Sequence, residues 1–147
     1  MDAISILFLI FSILGGGLTC LIAYGAIVKK RHYLLTGLFY YSFLPIIGET
    51  VGMLTTKHPY HILFIGMFVT QLLISSIKKV PFNETDKTLM EYAKRMGLSL
   101  IAINLISAIF ILGISNDYPQ YLGYFHVIIT LSLGYGVFQR IRGKMGQ

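Results

Sequence analysis

Charge is what this chain has least of. Asp, Glu, Lys and Arg make up 12% of its 147 residues, about half of the roughly 25% usual in a soluble domain. That deficit excludes a globule covered by water. Tryptophan is absent, with ten Tyr and ten Phe in its place. There is a single cysteine, Cys20, so no internal disulfide can form. Chemistry-bearing motifs are missing too: there is no G-x-S-x-G and no Gly-rich nucleotide loop. The "GGG" at 15–17 falls inside an apolar run, where it cannot serve phosphates.

Hydrophobic residues make up 55% of the chain. Several apolar runs approach or exceed the roughly 18–20 residues a helix needs to cross a bilayer. The sequence therefore predicts an all-α, polytopic transmembrane bundle, with residues 1–147 forming one integral membrane domain. Five spans are expected, at about 3–28, 34–55, 60–77, 97–115 and 120–139. The first run is long and follows Asp2 instead of a basic segment. It is therefore read as a span and not as a cleaved signal peptide. No lipidation motif is visible.

The net charge of +6 is not read as a nucleic-acid signal, because its placement follows the membrane. With five spans, every Lys and Arg except Lys57 falls in one set of loops. Lys and Arg accumulate on the cytoplasmic side, so the N-terminus is expected outside and the C-terminus in the cytoplasm. Tyr60, Tyr118, Tyr121 and Tyr124 then fall near the outer interface, and Tyr24, Tyr33, Tyr92 and Tyr135 near the inner one, the two levels that amphipathic rings prefer. The "NET" at 83–85 fits a glycosylation pattern but lies on the cytoplasmic side of this topology, where it is not used.

Residues 83–96 read as a cytoplasmic amphipathic segment. Asn83 can cap it, Leu89, Met90, Ala93 and Met96 form an apolar stripe, and Glu91 can pair with Lys87 and Arg95. With no Pro or Gly before Gly97, this segment is expected to run almost directly into the fourth span. It could dock a partner or lie along the headgroups, or be a solvated extension.

Within the spans, Ser12, Gly15, Gly16, Thr19 and Ala23 align on one helical face. Such small-residue stripes let backbones approach closely, either against another span of the chain or against a second protein. Gln71 and Asn104 lie about 16 Å and 12 Å into their spans by helical rise, both near the midplane. They are expected to share a hydrogen bond between helices.

The residue that demands an explanation is Glu49, about 9 Å inside the second span. Its face carries Leu38, Ser42, Pro45, Gly52, Met53 and Thr56, and so points into the bundle. A carboxylate there needs a partner or a cavity. His126, at similar depth in the fifth span, is the expected partner, with His58, Lys57 and His61 at the outer rim as alternatives. Pro45 removes a backbone donor and exposes the carbonyl of Tyr41. His58, His61 and Asp117 form at most a partial zinc set, and His126 alone does not make a haem site. No cofactor, metal or catalytic set is expected.

Three functions fit these observations. The first is a non-catalytic accessory, assembly or regulatory subunit of a larger membrane complex. The second is a small oligomeric proton or ion transporter using Glu49. The third is an enzyme on lipid-like substrates at the outer leaflet, with Glu49 and His126 as acid and base. The first is the leading expectation. Its partners are membrane lipids and other membrane subunits, in a hetero-complex more than a homo-oligomer, and its location is a bacterial cytoplasmic membrane.

Overall fold

A computed structural model describes residues 3–77 and 87–146. They form five helices: α1 (Ala3–Ile27), α2 (Arg31–Thr56), α3 (Tyr60–Ser76), α4 (Lys87–Ile109) and α5 (Gln120–Ile141). There is no strand among the described residues. Four stretches are long and apolar enough to cross a membrane: Ser5–Ile27, Arg31–Thr56, Glu91–Ile114 and Gln120–Ile141. The architecture is that of an integral membrane protein. The remaining helix, α3, is apolar but has 17 residues, about 25 Å of rise against a hydrocarbon layer of about 30 Å.

The amphipathic segment and the fourth span are one continuous helix from Lys87 onward. Glu91 lies 3.4 Å from the Arg95 guanidinium on its exposed face. The expected cap at Asn83 lies outside the described residues. At its far end α4 passes into a π-helical turn, Phe110–Ile114, closed by the Ser115 N–H donating to the Phe110 carbonyl at 2.8 Å.

The chain runs up and down. The turn at 28–30 and the tail after α5 meet at one end, here called the basic end. The turn at 57–59 and the connection at 115–119 meet at the other, the His61 end. At the basic end Gly143 adopts a left-handed φ of 65° and turns the tail back. The Gly146 carbonyl then accepts the Arg31 N–H at 3.0 Å, and the Gly146 N–H donates to the Lys29 carbonyl at 2.7 Å. The first of these bonds satisfies one of the orphan donors at the start of α2.

Helix α2 packs on α1 and α3, α5 packs on α1 and α4, and α3 touches α4 only lightly. The main core joins Ile22, Leu34, Leu38, Leu100, Ile129 and Leu133 from α1, α2, α4 and α5. A second cluster of Phe64, Phe68 and Ile103 joins α3 to α4.

The small-residue stripe of α1 faces into this bundle. A Cβ on Gly15 would sit 3.3 Å from the Phe125 ring and 3.6 Å from Leu44, and one on Gly16 would sit 3.6 Å from Phe125. Thr19 is buried, while Ser12 and Ala23 are half-buried. The stripe thus admits the aromatic ring of α5. Gly17 has nothing nearby, since it points away from the stripe. Closer still is the α1–α2 contact, where a Cβ on Gly37 would lie 2.6 Å from the Ile22 side chain.

Candidate functional site

Two polar clusters occupy the interior, and they are built differently. The first lies at the His61 end of α2. Pro45, Glu49, Gly52 and Thr56 follow helical spacing and share a face. The turn after α2 is only residues 57–59, with Lys57 in a left-handed conformation at φ 59°. The first turn of α3 is thereby folded back against the last turns of α2. His61 enters the space that Gly52 leaves open: a Cβ on Gly52 would stand 2.5 Å from the imidazole Cε1. Any side chain at position 52 would displace that ring.

In this position His61 Nδ1 lies 2.6 Å from Glu49 Oε2. Both residues are buried, at 3% and 7% exposure. On the other side of the ring, Nε2 lies 2.8 Å from the Thr56 hydroxyl, which is itself 2.9 Å from the Gly52 carbonyl. A hydroxyl has one proton. If it goes to Gly52, His61 Nε2 must donate to Thr56, and Nδ1 faces Glu49 as the acceptor of a protonated carboxyl or as the second donor of an imidazolium. If instead Thr56 donates to His61, Nδ1–H donates to the carboxylate. In each arrangement one hydrogen is shared across the 2.6 Å contact.

The connection at 115–119 completes the cluster. The Tyr118 hydroxyl donates to Glu49, 3.0 Å from either oxygen. Burial first, and then the negative charge of Glu49, push the ionisation of Tyr118 well above the ordinary range, so it remains a neutral donor. Beside it, the Tyr60 hydroxyl donates to Asp117 at 3.3 Å. The π-helical turn precedes this connection directly, and such turns recur at functional sites.

The second cluster lies deeper, midway along the helices. The Asn104 amide oxygen can only accept, so His126 Nδ1, 2.9 Å away, donates to it. The other ring nitrogen then faces the Tyr41 hydroxyl at 3.4 Å as an acceptor. Asn104 Nδ2 donates to Gln71 Oε1 at 2.6 Å, Gln71 Nε2 donates to Ser42 Oγ at 3.1 Å, and Ser42 donates to the Leu38 carbonyl at 2.7 Å. The bonds run in one direction, from Tyr41 through His126, Asn104 and Gln71 to Ser42. They tie α2, α5, α4 and α3 together.

The structure corrects one expectation. Glu49 pairs with His61 and not with His126. Counting residues along helices gives depth but not which neighbour a face meets. The tight 57–59 turn brings His61 against Glu49 locally, while both nitrogens of His126 are engaged in the deeper cluster. Gln71 and Asn104 do meet. His58 stacks on the ring of Tyr60 at 13°, apart from the Glu49–His61 pair. Among the described residues no group of three or more His, Cys, Asp or Glu could hold a metal ion. Sequence reasoning missed Tyr118 as a Glu49 ligand and Gly52 as the seat for an imidazole. The second had a visible signal, a glycine three residues after the carboxylate on the same face.

A cavity of about 290 Å³ joins the two clusters. Glu49, His61, Tyr118 and Thr56 line its polar end, and Tyr41 and His126 its deep end. Between them the walls are apolar, with Phe8 and Phe11 from α1, Leu44 from α2, Phe64 from α3 and Phe125 from α5. Beyond the deep end lies the apolar core of Ile22, Leu38, Leu100 and Ile129. The arrangement can hold the polar end of a small molecule by hydrogen bonds while its body contacts hydrocarbon walls.

The two clusters make distinct predictions in a double-mutant cycle read by thermal unfolding in detergent. Glu49→Leu and His61→Leu share a direct bond and should couple by about 0.5–3 kcal/mol. Each single change should cost more than the pair together suggests, because it strands a buried polar group. Glu49→Leu and His126→Leu share no hydrogen-bond partner and should add to within about 0.5 kcal/mol. Coupling in the second pair with none in the first would reverse the assignment.

No known protein family, curated protein or solved structure matches this chain, so what the site does has to be argued from its geometry.

Proposed function

We propose that the protein is a five-span integral membrane protein that binds a small amphiphile in the cavity beside Glu49. In this reading it acts as a non-catalytic accessory or regulatory subunit of a larger complex in a bacterial cytoplasmic membrane. The N-terminus lies outside and the C-terminus in the cytoplasm, as the distribution of Lys and Arg favours. The position of α3 supports the fifth crossing. Its start carries Tyr60 and His61 at one end of the bundle, and its end carries Ile74 and Ile77 beside Arg31 and Arg140 at the other.

A single observation carries the ligand reading: the cavity has the Glu49 carboxylate at one end, apolar walls, and Tyr41 and His126 at its deep end. The ligand's polar end would meet the acceptor oxygens of Glu49, so it donates hydrogen bonds, as an amine or a hydroxyl does. A volume near 290 Å³ is at the small end of ligand pockets. The shared hydrogen between Glu49 and His61 favours a second reading, proton-coupled transport, but that reading needs a route onward past the Asn104–Gln71 cluster.

Topology is tested by single cysteines in a Cys20→Ser background. His58→Cys should react with an impermeant reagent in intact cells, and Lys144→Cys should not. Labelling of both from outside would leave α3 uncrossed and reject the fifth span.

Binding is tested by mild-detergent purification, followed by organic extraction and mass spectrometry. An amphiphile should accompany the native protein in near-stoichiometric amount, together with a second polypeptide. It should be lost from Gly48→Phe, which fills the cavity beside Phe11, and depleted in Glu49→Gln, which keeps the shape but not the charge. The same extract from all three proteins would contradict the proposal.

A further inference from the structure

At the basic end lies a second cavity, of about 240 Å³ and separate from the first. Its walls are apolar: Leu34 and Leu35 from α2, Ile74 and Ile77 from α3, Met96 and Leu100 from α4. Among the described residues two cationic side chains line it, Arg31 from the first turn of α2 and Arg140 from the last turns of α5. Both are half-buried, and their like charges act on one another. Among the described residues no acidic side chain lines the cavity.

Local structure explains why the space exists. Helix α3 packs on α2 but only lightly on α4, and at this end both helices line the cavity. The α4 wall is low there, since Ala93 and Gly97 present little side chain. The returning tail sets Met145 against Arg31 and Arg140 as part of the lining.

We infer that this cavity is a binding site for an anionic phospholipid, one acyl chain entering between α3 and α4 and the phosphate bridging Arg31 and Arg140. An aliphatic chain matches the hydrocarbon walls. A phosphate matches a pair of guanidiniums, which present planar forks of N–H donors to its oxygens. Each guanidinium has five such donors, enough to bind a phosphate oxygen alongside its contacts within the protein. An anion also relieves the repulsion between the two cations. The membrane supplies the occupant directly, because both arginines sit at a helix end, where headgroups lie. Basic pockets between spans at this level select anionic lipids.

The test uses the full chain, purified and delipidated in neutral maltoside detergent. Phosphatidylglycerol and phosphatidylcholine of equal chain length are compared by native mass spectrometry and by thermal unfolding. The expected result is a preference of about thirtyfold for the anionic lipid, the contribution of two basic residues at a membrane surface, with a rise in Tm of several degrees. Inorganic phosphate alone should give neither. Arg140→Gln should remove most of the preference, and Ala93→Phe, which fills the cavity and keeps both charges, should remove binding of either lipid. Equal binding of the two lipids to the native protein would overturn the proposal whether or not the variants fold. An effect of inorganic phosphate equal to that of the lipid would overturn the acyl-chain assignment, and so would undiminished binding to Ala93→Phe.

Discussion

The amide–imidazole relay at mid-depth is the constraint on which the bundle depends. Hydrocarbon offers no alternative partner to Gln71, Asn104 or His126, and an unsatisfied polar group there costs several kcal/mol. The three residues therefore have to meet, with Ser42 and Tyr41 closing the ends. Apolar packing alone does not set the rotation of one span against another, because lipid tails contact Leu as well as a neighbouring helix does. A directional chain of donors and acceptors does set it. Once α2, α3, α4 and α5 are fixed in this way, α1 is positioned by its close approach to α2 at Gly37 and Ile22 and by the packing of Phe125 against Gly15 and Gly16.

The Glu49 cluster follows a different logic. It is assembled by local chain geometry: a carboxylate, a glycine three residues on, a threonine four further, and a tight turn that returns His61 into the gap. Only Tyr118 comes from far along the chain. The carboxylate is held by neighbours yet borders open space. A residue placed only for stability would not need a cavity beside it. One placed to hold a ligand needs both the cavity and the support that keeps it oriented when the cavity is empty.

Much of this was legible in the sequence, and the limits have physical causes. Helix extents follow from apolar run length, and the observed helices begin and end within a few residues of the expected spans, with α4 extending back to Lys87 through the amphipathic segment as its lack of Pro and Gly predicts. The Gln71–Asn104 contact was legible because depth along a helix is a matter of counting, and few polar groups lie at that level. The partner of Glu49 was not, because depth does not fix azimuth and because a three-residue turn brings His61 closer than any counting argument shows. The π-helical turn at Phe110–Ile114, which leads into the connection bearing Tyr118, has no periodic signature. The basic-end cavity was likewise invisible, since it depends on how lightly α3 meets α4 and not on any local motif.

The proposal turns on the Glu49 cavity being blind, so that a ligand would enter it and nothing would pass through. Its floor is the relay, backed by the core of Ile22, Leu38, Leu100 and Ile129. The most direct test is reconstitution of the purified protein into liposomes loaded with a pH-sensitive dye, followed by an imposed pH gradient. The account predicts that the gradient decays no faster than in empty liposomes of the same composition. Faster decay that is abolished by Glu49→Gln would contradict it and make the carboxylate a proton carrier.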